Sequence, residues 1–187
     1  MYANNQFTKS ILLSLLLFPL TNVVLFVYLS GGAGLDYSRI FLLKLIAINC
    51  AVALAEELFF RGLLLRELVF GFGLRPILAS IVVSIAFGMM HILNVNSYAE
   101  LDYAVVQSVC AVAVSFNLSA IFIKSKSLLW CVLIHGMINI SSIGIDASAD
   151  DNLLVLGNIE YVIFLLVSFI YLIYGVKMLN DKAMEGR

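Results

Sequence analysis

Few residues in this sequence can do acid–base chemistry, and their spacing is regular. Ala-Glu-Glu-Leu-Phe-Phe-Arg-Gly begins at Ala55, so Glu57 and Arg61 stand four apart. On a helix that spacing puts them on one face, with the acid N-terminal as such pairs prefer. Glu56 points about 100° away and has no local cation. One acid is restrained and the other is free to move a proton. The two histidines of the chain, His91 and His135, both fall in apolar stretches. Asn139 follows His135 by four, so an imidazole and an amide share a helical face and both can donate to one oxygen. Phe87 precedes His91 by four, setting a ring beside the imidazole that limits water and rotamer freedom. A carboxylate and an imidazole to activate water, with donors where an oxyanion develops, are what hydrolysis of an amide requires.

The elements that must position these groups are apolar. Of 187 residues, 63% are hydrophobic and 12% charged, with mean hydropathy +1.06, against roughly 45–50% apolar in a soluble domain. The bilayer is the solvent to reason in, where each ionisable group costs roughly 2.5–3.5 kcal/mol on insertion scales, faces the bundle interior and marks function. A span needs about 20 apolar residues. Six stretches meet or approach that length: Ser10–Leu29, Ile40–Leu68, Ile77–Leu93, Tyr103–Ile123, Leu128–Ile143 and Leu153–Tyr174. Pro19 is expected to kink the first, which reads as a retained span rather than a secretory signal because its apolar run exceeds the usual 7–15 residues. The fold expected is an all-α, polytopic transmembrane bundle of about six spanning helices. It forms a single domain over residues 1–187, since no linker divides the chain.

Charge sets the orientation. With six spans, Lys9, Arg66, Arg75, Lys124, Lys126, Lys177, Lys182 and Arg187 share one side. Arg39 and the acids Glu100, Asp102, Asp146, Asp150 and Asp151 share the other. The positive-inside rule then places both termini in the cytoplasm of a multi-pass plasma-membrane protein. A net charge of −1 and thinly spread cations exclude a nucleic-acid partner. Cys50, Cys110 and Cys131 lack CxxC spacing and read as small buried hydrophobes. Glu160, isolated in the sixth stretch, reads as a structural acid.

Glu56-Glu57-x-x-x-Arg61, Phe87-x-x-x-His91 and His135-x-x-x-Asn139, in that order over about residues 55–140, resemble the three motifs of the CPBP intramembrane proteases. These are the CAAX and bacteriocin-processing enzymes also called the Abi family. The resemblance implies an endopeptidase in which Glu56 and His91 activate water. His135 and Asn139 would stabilise the oxyanion, and Glu57, held by Arg61, would order the site. It implies a peptide or membrane-protein substrate reached from the bilayer, in peptide maturation, bacteriocin self-immunity or CAAX-type processing. No cofactor is required by the metal-free mechanism of relatives. Were a divalent metal such as zinc present, Glu56, His91 and His135 would supply a His₂Glu set, although H-E-x-x-H is absent.

Two other functions use the same residues differently. The polar cluster could serve helix packing in a non-enzymatic immunity or scaffold protein, or a proton path in a small transporter. Geometry also sets a requirement. With straight antiparallel spans and these boundaries, Glu56 and His91 differ in depth by roughly 10–15 Å at 1.5 Å per residue, so the site needs a tilt, a kink or a shifted helix start near Phe70-Gly71-Phe72-Gly73.

Overall fold

The computed structural model describes residues 2–29, 38–93, 101–148 and 157–180. These residues form six α-helices and, among them, no strand: α1 Tyr2–Leu29, α2 Arg39–Glu57, α3 Pro76–Ile92, α4 Leu101–Ser125, α5 Leu128–Ser148 and α6 Gly157–Asn180. Glu100, Asp150, Asp151, Lys182 and Arg187 lie outside the described residues, as do the side chains of Asp102, Asp146 and Glu160.

Local chemistry accounts for several boundaries. Ser38 caps α2, its side chain accepting from the Phe41 N–H at 3.2 Å. Pro76 opens α3 in the first turn, where a missing N–H costs nothing. Pro19 sits inside α1, which continues on both sides of it. The second apolar stretch departs most from expectation. It runs beyond Leu68 to Gly71, and from Leu58 it is π-helical, in two stretches, Leu58–Leu65 and Glu67–Gly71. Wide turns of this kind concentrate at functional sites, and here they begin one residue after the Glu56-Glu57 pair. Gly73, at φ 67, then reverses the chain into α3.

Helix α4 is the axis of the bundle, with α3 and α6 packed on it, while α1 and α2 pack on α5. Its residues Leu118, Ala120 and Ile121 are fully buried, as are Val83 of α3 and Cys131 and Ile134 of α5. Two glycines permit this closeness. A Cβ on Gly88 would meet the Ser108 carbonyl oxygen at 2.8 Å, and one on Gly175 would meet the Phe116 ring at the same distance. Small residues at helix crossings are how apolar bundles bring backbones together.

The outer face is apolar. Leu16, Leu20, Ile40, Leu43, Met89 and Phe169 are among many large exposed hydrophobics, far beyond the scattered apolar residues of a soluble surface. Two helical segments, Tyr103–Ser125 and Tyr161–Asn180, are long and apolar enough to cross a membrane. Cys50 corrects the reading of all three cysteines as buried: it is exposed on α2, whereas Cys110 and Cys131 are buried, and all three are free thiols.

Candidate active site

Glu57 is completely buried at the end of α2, and so is Arg61 one turn further on. Arg61 Nη1 donates to Glu57 Oε1 at 2.7 Å. Its other terminal nitrogen, Nη2, donates to the Ser115 carbonyl at 3.1 Å and to Ser115 Oγ at 2.8 Å, crossing to α4. The guanidinium also lies over the Phe87 ring, 4.9 Å from its centroid, a cation–π contact that gains from desolvation. Two α4 atoms and an α3 ring therefore fix the charge that fixes Glu57.

That arrangement extends to α5. The same Glu57 oxygen faces His135 Nδ1 at 2.8 Å, and His135 Nε2 faces Glu56 Oε2 at 3.4 Å. The imidazole thus stands between two carboxylates. A carboxylate accepts, so Nδ1 carries a proton toward Glu57. The 3.4 Å contact to Glu56 is too long for a strong hydrogen bond. Glu56 is also the more open partner, its side chain 33% exposed against 0% for Glu57. Sequence spacing distinguishes a restrained acid from an available one, and the burial of the two glutamates follows the same division.

His91 is oriented by its own helix. Its Nδ1 lies 2.9 Å from the Phe87 carbonyl, an oxygen that can only accept, so the proton is on Nδ1 and the neutral ring keeps its lone pair on Nε2. The Phe87 ring stands between the histidines, 4.8 Å from His91 and 5.6 Å from His135. His91, His135 and Asn139 line one cavity of about 170 Å³, with Phe87 in its wall.

Register removes the depth difference expected of straight spans. Phe87 packs on Phe60 at 4.9 Å and beneath the Arg61 guanidinium. Helix α3 runs antiparallel to the second helix, so one turn beyond Phe87 is His91 and one turn before Phe60 and Arg61 are Glu56 and Glu57. Extension of the second helix through its π-helical stretches to Gly71 produces this register, rather than an earlier start of α3.

Six residues singled out in the sequence are thus distributed over one locality: Glu56, Glu57 and Arg61 in direct contact with each other or with His135, and His91 and Asn139 on the cavity beside them. Ser115 was not anticipated. Its signal is a polar run, Ser115, Asn117 and Ser119, in a helix with no charge between Asp102 and Lys124. Among the described residues no three His, Cys, Asp or Glu side chains are grouped as ligands, and His135 directs Nδ1 at Glu57 and Nε2 at Glu56.

The bundle thus buries a Glu–Arg pair and suspends a histidine between two acids, with that histidine in the wall of a cavity. The model of the type II CAAX prenyl endopeptidase Rce1-like family matches residues 38–141, more than half of the chain. The chain belongs to this family of membrane-bound CAAX-type endopeptidases. No curated protein and no solved structure matches it.

Proposed function

We propose that the chain is an intramembrane endopeptidase that activates water with Glu56 and His91. The observation that carries this reading is His135, held at 2.8 Å by the buried Glu57 and facing the more open Glu56 at 3.4 Å. Glu57 and Arg61 position the imidazole without being consumed, leaving Glu56 to accept a proton from water that also reaches the lone pair on His91 Nε2. The hydroxide attacks the scissile carbonyl. In this reading His135 carries a proton on each ring nitrogen between the two carboxylates, and the developing oxyanion meets its Nε2–H, drawn from the long contact with Glu56, and the Asn139 amide on the same face of α5. Glu56 then returns the proton to the leaving amine.

The setting proposed is a plasma-membrane bundle of six spans with both termini cytoplasmic, supported by the exposed apolar faces of α1, α2, α3 and α6 and by the loop charges. All 187 residues act as one domain, because α1 and α6 pack on the matched helices α5 and α4. Substrates are peptides or membrane proteins entering from the bilayer, in peptide maturation, bacteriocin self-immunity or CAAX-type processing, with no nucleic acid involved. Protein groups carry the chemistry without a metal. Cleavage by chelator-treated protein shown metal-free by elemental analysis supports that, and loss of cleavage restored by zinc overturns it.

Glu56→Gln tests the central claim. It removes the proton acceptor at nearly constant volume, so cleavage of a susceptible peptide should fall by about 10²–10⁴-fold with the thermal melt in detergent unchanged. Full cleavage by the Gln variant would leave the polar cluster to a scaffold or a transporter.

A further inference from the structure

The cavity that holds His91, His135 and Asn139 is completed by helices outside the family match: Phe18 and Asn22 of α1 and Phe164 of α6 also line it. Asn22 is the unusual member. It is only 2% exposed, and its hydrogen bonds leave one atom unused. Ser141 Oγ donates to the Ile138 carbonyl at 2.8 Å, so it offers a lone pair to Asn22. Asn22 Nδ2 fills that position at 2.8 Å and also points to the Ile138 carbonyl at 3.5 Å. Those partners assign the nitrogen to this end of the amide. They leave Oδ1 buried with no hydrogen-bond partner among the described residues.

We infer that Asn22 is a substrate-binding residue whose Oδ1, closed off in the substrate-free bundle, is uncovered as a peptide enters and accepts one of its backbone N–H groups, next to a cavity that takes one apolar side chain beside the scissile bond. A buried acceptor without a partner is costly, and a donor that arrives with substrate removes that cost. A peptide in extended form carries an N–H at every residue. Phe18, Val106, Val114 and Phe164 suit an apolar side chain. At about 170 Å³ the cavity is comparable with an apolar cavity of about 150 Å³ that holds a benzene, the size of one aliphatic or aromatic side chain. This rests on the peptidase reading above and adds to it a residue that reads the substrate main chain.

The test uses an internally quenched, farnesylated peptide ending Cys-aliphatic-aliphatic-X, and three versions each N-methylated at one backbone nitrogen near the scissile bond. The full chain and its variants are assayed in detergent, and binding of the same peptides is read by fluorescence anisotropy in the Glu56→Gln background. Asn22→Leu should raise KM about 3–10-fold, the range of one neutral hydrogen bond, at unchanged kcat. One N-methylated peptide should show the same loss on the unaltered chain and no further loss on Asn22→Leu. Ser141→Ala, which loosens the α1–α5 contact but leaves the acceptor, should keep its sensitivity to that methyl group. Should Asn22→Leu fail to fold, Asn22→Ala withdraws the acceptor without adding volume and should show the same loss of affinity. Additive losses from Asn22→Leu and every N-methylation overturn the inference while the peptidase reading stands. An unaltered chain that neither binds nor cleaves any of the peptides overturns both.

Discussion

Two buried polar clusters cross this bundle, and they are built on opposite principles. The first joins α2, α4 and α5 through Glu57, Arg61, Ser115 and His135 and is ionic. It retains unused capacity, with Glu57 Oε2 and Arg61 Nε buried and without a partner among the described residues. The second joins α1, α4 and α6 and is neutral. Ser14 donates to Asn117 Oδ1 at 3.4 Å, Asn117 Nδ2 donates to the Tyr171 carbonyl at 3.1 Å, and the Tyr171 hydroxyl closes the circuit on the Ser14 carbonyl. None of its buried side-chain atoms lacks a partner. Hydrogen-bonding groups that only hold helices together can saturate one another. Groups that meet a substrate must keep valences and charge in reserve, at a cost in stability.

That contrast is broken most directly by exchanging the effects of the two clusters. Glu56→Gln should remove activity, by about 10²–10⁴-fold, and leave unfolding alone, since Glu56 is the partly exposed member and its contact with His135 is a long one. If Glu56→Gln instead lowered the melting temperature and spared cleavage, the ionic cluster would be a structural element like the neutral one.

Arg61→Met probes the cost of holding charge in reserve. It leaves the Glu57 carboxylate fully buried with His135 as its one hydrogen-bond partner among the described residues, and removing one member of a buried pair costs about 3–5 kcal/mol. Unfolding in detergent should show that loss. The double variant Glu57→Gln/Arg61→Met, with no charge left to bury, should recover much of it while remaining inactive. A double variant no more stable than Arg61→Met would mean that packing of the guanidinium on Phe87, rather than charge, accounts for the loss.

How far this contrast was legible in the sequence follows from the range of each interaction. The Glu57–Arg61 pair spans one helical turn, and helix geometry alone places it. The burial difference between Glu56 and Glu57 follows from the same geometry once one face is paired. By contrast, His135 reaches Glu57 across 78 positions, and only the packing of α5 on α2 decides which carboxylate each ring nitrogen faces. Ser115 and the neutral circuit were missed because serine and asparagine carry no charge and so stand out little in an apolar run. The π-helical turns after Glu57 have no marker in composition or period, and straight spans therefore put Glu56 and His91 at different depths. The helices themselves were legible as six apolar stretches, with errors at ends such as that of α6, which runs past Tyr174 to Asn180.

Gly88 tests how closely the site depends on backbone approach. Its carbonyl accepts from Ser108 Oγ at 2.7 Å, and it lies between Phe87 and His91 on α3. Gly88→Val would drive a side chain into Val112 and the Ser108 carbonyl, costing about 1–3 kcal/mol as α3 moves from α4. Because the same movement shifts Phe87 and His91, kcat should fall as well. Unchanged kcat with lowered stability would show that the site tolerates displacement of α3.

The smallest effect belongs to the neutral circuit. Asn117→Leu removes the side-chain links to Ser14 and to the Tyr171 carbonyl, and interhelical hydrogen bonds in membranes average about 0.6 kcal/mol, with a maximum near 1.7. A loss of about 1–2 kcal/mol in unfolding is expected, with kcat and KM for a cleaved peptide unchanged. The Tyr171 hydroxyl remains on Ser14, so α1 stays tied to α6 and Phe18, which packs edge-on against the Tyr171 ring at 5.5 Å, keeps its place in the cavity wall. Should KM rise instead, the neutral circuit would be setting the shape of the cavity through Phe18. The line between a saturated scaffold and a site with reserve would then run through α1 rather than between the clusters.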